Sequence, residues 1–293
     1  MPGLPFHILD VFTTGEPMTG NQLLVVEDQK GGVLSTEGMQ KIAQEIGFAE
    51  TAFVQKPTTE GTAASVRIFT TDSEVPQAGH PIIGLSEIIG SNLGASSFTM
   101  TTRKGPISVT RRPPGNWFAA QDPCEWLGRA SVDSVNDLLD NSRASVLVGV
   151  RSNHWGFPIG STCGLPYALV PLPSCQDLDG LIIDPAASPA IFQGQCGLPN
   201  GLALYFYVRT EEHAARTRMF CHEGGQWIED VATGSAAGPL AAHLAPFQGV
   251  FTQGSKRRAH IRVDASAREG QRVEVGGAVL RVASGEWTAV PSP

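Results

Sequence analysis

The sequence predicts an α+β fold, with long, strongly curved sheets around a few buried helices. Three observations carry that expectation. Apolar or alternating runs of strand length recur from end to end, punctuated by 33 glycines and 21 prolines. Helical periodicity, in contrast, is confined to a few places. Finally, two short stretches in the two halves of the chain resemble each other, as a duplicated architecture would require.

In chain order, the first part offers strands over HILDVF (7–12), QLLVVE (22–27), TAFVQK (51–56), SVRIFTT (65–71), SFTMTT (97–102) and PISVTRR (106–112). Between the second and third of these, Met39, Ile42, Ala43 and Ile46 fall at i, i+3, i+4 and i+7, which predicts a helix. Ser35 or Thr36 can cap its start, and Gly47 stands where a left-handed residue closes a helix. Further helices are expected after Pro81, over 132–142 and after Ser235. Later strands are expected over SVLVGV (145–150), YALVPL (167–172), ALYFYV (203–208), AHIRVD (259–264) and the closing VEVGGAVLRVASGEW (273–287).

The internal resemblance pairs Ala78-Gly79-His80-Pro81, running on to Leu85, with Thr233-Gly234-Ser235-Ala236, running on to Leu240. Each is a small residue, a glycine and a polar residue at the start of an apolar helix. Each follows an aromatic-bearing strand, VRIFTTD or TRMFCHE. Two similarly built halves are therefore expected, facing each other across a cleft. Pro81 suits a first helical turn, where its missing N–H costs nothing. Two helix N-termini would bring unpaired N–H groups and positive dipole ends, an arrangement suited to a carboxylate ligand.

The 293 residues allow one large or two medium domains, and 41% hydrophobic with 17% charged residues fits a compact chain. A net charge of −7 argues against a nucleic-acid partner, and Lys256-Arg257-Arg258 is too short for a basic arm. No run approaches the ~18 apolar residues of a membrane span. Without a visible secretory signal, a cytoplasmic location is expected. The five cysteines have no metal-binding or disulfide spacing, so no metal and no disulfide framework is expected.

Four polar residues are candidates for chemistry. Glu50 stands between a helix end and an apolar strand; desolvation there would raise its pKa toward proton-transfer range, or it is an ordinary surface carboxylate. His80 stands at a helix N-terminus, where the dipole favours a neutral imidazole, or it packs or caps. Asp230 could hold His80 or the ligand, or form a turn. Ser235 could donate to a ligand carboxylate, or serve as a plain N-cap.

DVFT…GN, AQEIGFAETAFV, VRIFTTDSEVPQAGHPIIG, STCGLPYALVPL and RMF…EDVATGSAAGPLAAHL occur in the order found in the PhzF-like proteins of phenazine biosynthesis, which the chain resembles nearly end to end. The resemblance implies a diaminopimelate-epimerase-like fold: two similar domains, each a curved, mostly antiparallel sheet around a central helix, with the site between them. The halves would be 1–123 and 124–293, the last segment crossing back to the first. It implies a homodimer, no cofactor, no metal and a small-molecule carboxylate substrate. It makes Glu50 the general acid/base, matches His80, Asp230 and Ser235 to the other polar site positions, and matches Asn21, Gly79 and Gly234 to substrate contacts.

The chain departs from the family pattern at Gln22, Ala49 and Cys221-His222, where the family often has proline, serine and proline. A thiol-based epimerase is disfavoured, because neither Ala78-Gly79-His80 nor Ala232-Thr233-Gly234 carries a cysteine. The leading expectation is a cofactor-independent isomerase of a small cyclic carboxylate. A dehydratase or cyclase using the same pocket and a non-catalytic ligand-binding protein are the alternatives.

Overall fold

The computed structural model describes residues 3–28, 34–139, 156–188, 202–223, 225–265 and 272–288. The chain is α+β and dominated by strands. It divides into two compact units, Met1–Ala120 with Gly276–Pro293, and Gln121–Val275.

The first unit contains β1 (Leu4–Val11), β2 (Asn21–Asp28), α1 (Thr36–Ile46), β3 (Glu50–Gln55), β4 (Ser65–Phe69), β5 (Glu74–Val75), α2 (Gly79–Leu93), β6 (Ser97–Thr102), β7 (Gly105–Arg112) and β8 (Asn116–Ala120). β1 is antiparallel to both β2 and the C-terminal strand Val279–Trp287. β2 and β3 run parallel, β3 and β4 antiparallel, and β4 and β6 parallel. β6, β7 and β8 form an antiparallel meander.

The predicted caps of α1 are present. Gly38 N–H donates to Ser35 Oγ at 3.1 Å, and Gly47, at φ +67°, donates to Ala43 O. Met39, Ile42 and Ala43 pack with Leu24, Val26, Phe53 and Phe69. α2 is buried on nearly every side, with Ile82, Ile83, Leu85, Ile88 and Ile89 all in the core, each worth roughly 1.5–3 kcal/mol. It touches β1, β2, β3 and β8. Close approach depends on two glycines: a Cβ at Gly84 would lie 2.5 Å from Leu23 Cδ2, and one at Gly90 would lie 2.5 Å from Trp117 Cζ2.

The second unit contains β9 (Glu125–Ala130), α3 (Val132–Asn136), β10 (Phe157–Ser161), β11 (Tyr167–Pro171), α4 (Cys175–Asp179), β12 (Ala203–Glu211), β13 (Ala214–Glu223), β14 (Gln226–Asp230), α5 (Gly234–His243), β15 (Phe247–Gln253) and β16 (Ala259–Ala265). β9, β10 and β11 pair antiparallel, β11 and β12 parallel, and β12, β13 and β14 antiparallel. β13 also runs parallel to β15, which pairs antiparallel with β16. α5 lies against β10, β11, β15 and β16, with Ala236, Ala237, Leu240 and Ala241 buried.

The helix expected over 132–142 is shorter, Val132–Asn136, and 140–142 lie outside the described residues. Leu138 and Leu139 leave the helix to fill the core beside Leu178, Leu181 and Ile183. Burying two leucines outweighs continuing the helix. The expected strand 145–150 and Cys196 also lie outside the described residues.

Candidate functional site

In the first unit, β2 and β3 are parallel neighbours with Leu23 opposite Glu50, so Glu50 stands at the head of β3 beside the start of β2. Asn21, the first residue of β2, is buried there. It follows Gly20 at φ +73°, where a Cβ would collide with the Val11 carbonyl oxygen; only glycine lets the chain turn into β2. The preceding loop holds Phe12 and Met18 at φ +60° and +63°, which bulky residues rarely adopt. Met18 N–H donates to Asp10 Oδ2 at 2.7 Å, and the Thr13 and Thr19 hydroxyls bond at 2.8 Å.

α2 brings His80 to the same place. His80 Nδ1 lies 3.2 Å from Glu50 Oε2, with the imidazole almost wholly buried and the carboxylate about one-fifth exposed. Gly79 and His80 form the first turn of α2, and the capping position is Ala78, which has no side-chain bond to give. The first amide to bond back is that of Ile82, to Ala78 O. Thus Asn21, Glu50, Gly79 and His80 are gathered by two strand starts and one helix start, and Glu50 can exchange a proton under the influence of the ring beside it.

In the second unit, Asp230 ends β14 and α5 begins four residues later, at Gly234. Ser235 was expected as a possible N-cap, but the capping position is Thr233 and Ser235 is the second helical residue. Thr233 makes no capping bond with its side chain; its hydroxyl donates to Asp230 Oδ2 in a short hydrogen bond. Gln253, wholly buried at the end of β15, holds this turn. Its Nε2 donates to Asp230 O at 3.0 Å and to Thr233 Oγ1 at 2.9 Å, and its Oε1 accepts from Thr233 N at 3.3 Å. Gln121 Nε2 donates to Gly234 O at 2.8 Å, and Thr162 in turn donates to Gln121 Oε1. Ser235 Oγ lies 2.6 Å from the hydroxyl of Tyr167.

Next to Asp230, Glu229 has a different task. Burial works against its charge, but the Arg218 guanidinium outweighs that with bonds of 2.9 and 2.8 Å, aided by Ser255. The net result holds the Glu229 carboxyl below its usual range, so it anchors β13 to β14 as a carboxylate. Burial pushes the Cys221 thiol up to about 12 and the Cys124 thiol up to about 11, which leaves both un-ionised and poor nucleophiles near neutrality. Among the described residues no group of three or more His, Cys, Asp or Glu is placed to hold a metal ion.

Four supporting residues escaped sequence reasoning: Gln121, Tyr167, Thr233 and Gln253. Gln253 had a readable signal. In FQGVFTQ it shares the face of Phe247 and Phe251, both buried, so a polar side chain was pointed into the core. Tyr167 begins an apolar strand and carried no signal beyond its hydroxyl.

The profile of the phenazine biosynthesis-like protein family (PhzC-PhzF) matches residues 9–285. The chain is 32% identical over 288 residues to a trans-2,3-dihydro-3-hydroxyanthranilate isomerase of Pseudomonas aeruginosa, covering 93% of this chain and 95% of that one. It is 31% identical to an uncharacterized isomerase of Mesorhizobium japonicum, covering 96% and 97%. Among solved structures, a predicted epimerase of Pseudomonas aeruginosa superposes with a TM-score of 0.75 at 25% identity, covering 98% and 99%. A hydroxyproline epimerase of Agrobacterium vitis shares the fold, with a TM-score of 0.62 at 11% identity, covering 98% and 94%. With a strand-dominated α+β architecture common to these proteins and a family match over nearly its whole length, the chain belongs to the phenazine biosynthesis-like PhzC-PhzF family.

Proposed function

We propose that the protein is a cofactor-independent isomerase that moves a proton within a small, cyclic carboxylated metabolite. The observation that carries the reading is the Glu50–His80 pair, 3.2 Å apart at the first turn of α2, in a chain whose curated relatives include an isomerase of such a compound. Glu50 takes a proton from one ring carbon and returns it at another. His80 stays beside the carboxylate through both steps and stabilises whichever protonation state the transfer leaves. Ser235 and the N–H groups of Gly234 and Ser235 hold the substrate carboxylate at the α5 N-terminus. Asp230, steadied by Thr233, accepts from an amine or hydroxyl of the substrate, and Asn21 and Gly79 contribute further contacts.

The reading also takes the two units as pseudo-repeats. In each, a helix connects two parallel strands, β4 to β6 through α2 and β13 to β15 through α5, which supports that view. A homodimer is part of the proposal, and a monomer in analytical ultracentrifugation would refute it.

Glu50→Gln tests the assignment, with trans-2,3-dihydro-3-hydroxyanthranilate as the first substrate. The variant keeps its fold and ligand binding but loses turnover by ~10² or more. Near-wild-type turnover refutes the role of Glu50. A dehydration or cyclisation is the second reading, favoured by Gln22, Ala49 and Cys221-His222 at positions where the family often differs. Loss of water from the product, seen by mass, distinguishes it from isomerisation.

A further inference from the structure

The mechanism above makes no use of Tyr167, yet its hydroxyl is buried at the start of β11 and lies 2.6 Å from Ser235 Oγ. Among the described residues, Ser235 is the partner this hydroxyl has. One hydrogen must lie between the two oxygens, and the direction of donation decides what Ser235 can do. A phenol is a much stronger acid than an aliphatic alcohol, so the favourable arrangement has Tyr167 donating and Ser235 accepting. Burial, reinforced by Cys163, Asp230 and Cys221, pushes the Tyr167 pKa well above its usual value, so the phenol retains the proton it donates.

A serine hydroxyl has one hydrogen and two lone pairs. Once one lone pair accepts from Tyr167, the serine hydrogen is left for another acceptor, and hydrogen bonds in a chain polarise one another. Ser235 is only half-buried, whereas Tyr167 is enclosed, so the chain runs from the interior outward. It ends in a donor at the start of α5, where the helix dipole also favours an anion.

We propose that Tyr167 is a positioning residue which donates to Ser235, aims the serine hydrogen at the ligand, and so sets a preference for a carboxylate over a neutral group. The proposal rests on the reading of Ser235 as a carboxylate contact, and the test separates the two. Calorimetry measures Kd for anthranilate, a ring carboxylate, and for anthranilamide, its uncharged counterpart. The proteins compared are wild type, Tyr167→Phe, Ser235→Ala and the double variant.

Tyr167→Phe weakens anthranilate binding about 3–10-fold, the scale of one lost hydrogen bond, and leaves anthranilamide within a factor of about two. Ser235→Ala weakens anthranilate at least as much, and adding Tyr167→Phe to it has no further effect. A merely structural role would weaken both ligands alike, or would add to the serine change, and either result overturns the proposal. It is also overturned, with the carboxylate reading intact, if Ser235→Ala weakens anthranilate and Tyr167→Phe does not. If wild type does not bind anthranilate, or Ser235→Ala leaves its Kd unchanged, the carboxylate reading fails and the proposal with it. Thermal melting checks each fold, and Tyr167→Met serves as a second hydroxyl-free variant should Tyr167→Phe not fold.

Discussion

Gln253→Met tests how the Asp230 turn is held. Gln253 is wholly enclosed, and its amide makes three bonds, one to the Asp230 carbonyl and two to the backbone N–H and hydroxyl of Thr233. Methionine conserves volume, so packing alone should cost less than ~1.5 kcal/mol. Each lost neutral hydrogen bond is worth about 0.5–1.5 kcal/mol net. The longest of the three, at 3.3 Å, belongs at the low end of that range, but its loss strands the amide of Thr233, a buried residue. Taken together, the change should destabilise by about 3 kcal/mol, within a range of roughly 2–4. Activity should fall as well. Thr233 Oγ1 both accepts from Gln253 and donates to Asp230, so without Gln253 the threonine rotamer is released and the carboxylate loses its fixed direction. Misplacement of a positioned group by ~1 Å can cost ~10² in rate. Urea titration at constant m-value gives the stability, and turnover of the folded fraction gives the activity. Destabilisation below ~0.5 kcal/mol with unchanged turnover would refute the argument that this amide organises the turn.

Two further changes probe the first unit and the pH dependence. Gly20→Ala forces a Cβ against the Val11 carbonyl at φ +73°, so it should cost at least ~2 kcal/mol in thermal unfolding and displace Asn21; a variant as stable as wild type contradicts the need for glycine there. Glu229→Gln removes the Arg218 fork. Because the folded carboxyl titrates below its ordinary value of 4.5, its stabilisation is present above that pH and is lost as pH falls through the lower, folded value. At pH 7 the variant should be less stable by about 1–2 kcal/mol, allowing for the partial exposure of the pair, and in stronger acid the gap should close. Chemical unfolding across pH measures this, and a gap that widens on acidification contradicts the sign.

Legibility in the sequence followed the range of the forces involved. α1 was readable to within a residue or two because its apolar stripe, Ser35 cap and Gly47 terminator are all local. The starts of α2 and α5 were readable from Gly79-His80-Pro81 and Gly234-Ser235 for the same reason. β9 was not, because Glu125–Ala130 is exposed along most of its length and is a strand through its pairing with β10. Glu50 and His80 could each be singled out, but their contact is made by packing α2 against β3, which no local pattern encodes. The Thr233 hydroxyl illustrates the limit best. By residue type it is a good N-cap, yet in the folded chain its side chain bonds Asp230 and Gln253 and no first-turn amide.

Ala78 and Thr233 set two helix starts apart from the other three. α1, α3 and α4 each begin with a serine whose side chain accepts from a first-turn amide: Ser35, Ser131 and Ser174. The chain therefore caps helices conventionally where it has no other use for their ends. α2 begins after an alanine and α5 after a threonine whose hydroxyl bonds no first-turn amide, so both lack a side-chain cap. Leaving a cap out costs ~1 kcal/mol, and it is left out at the two helices that carry the candidate residues. In the proposed mode of binding, a capping side chain would occupy the place of the ligand carboxylate at the first-turn amides. Under the proposed function, the missing caps leave first-turn amides of each helix open to an anion, at a tolerable loss of stability to each helix.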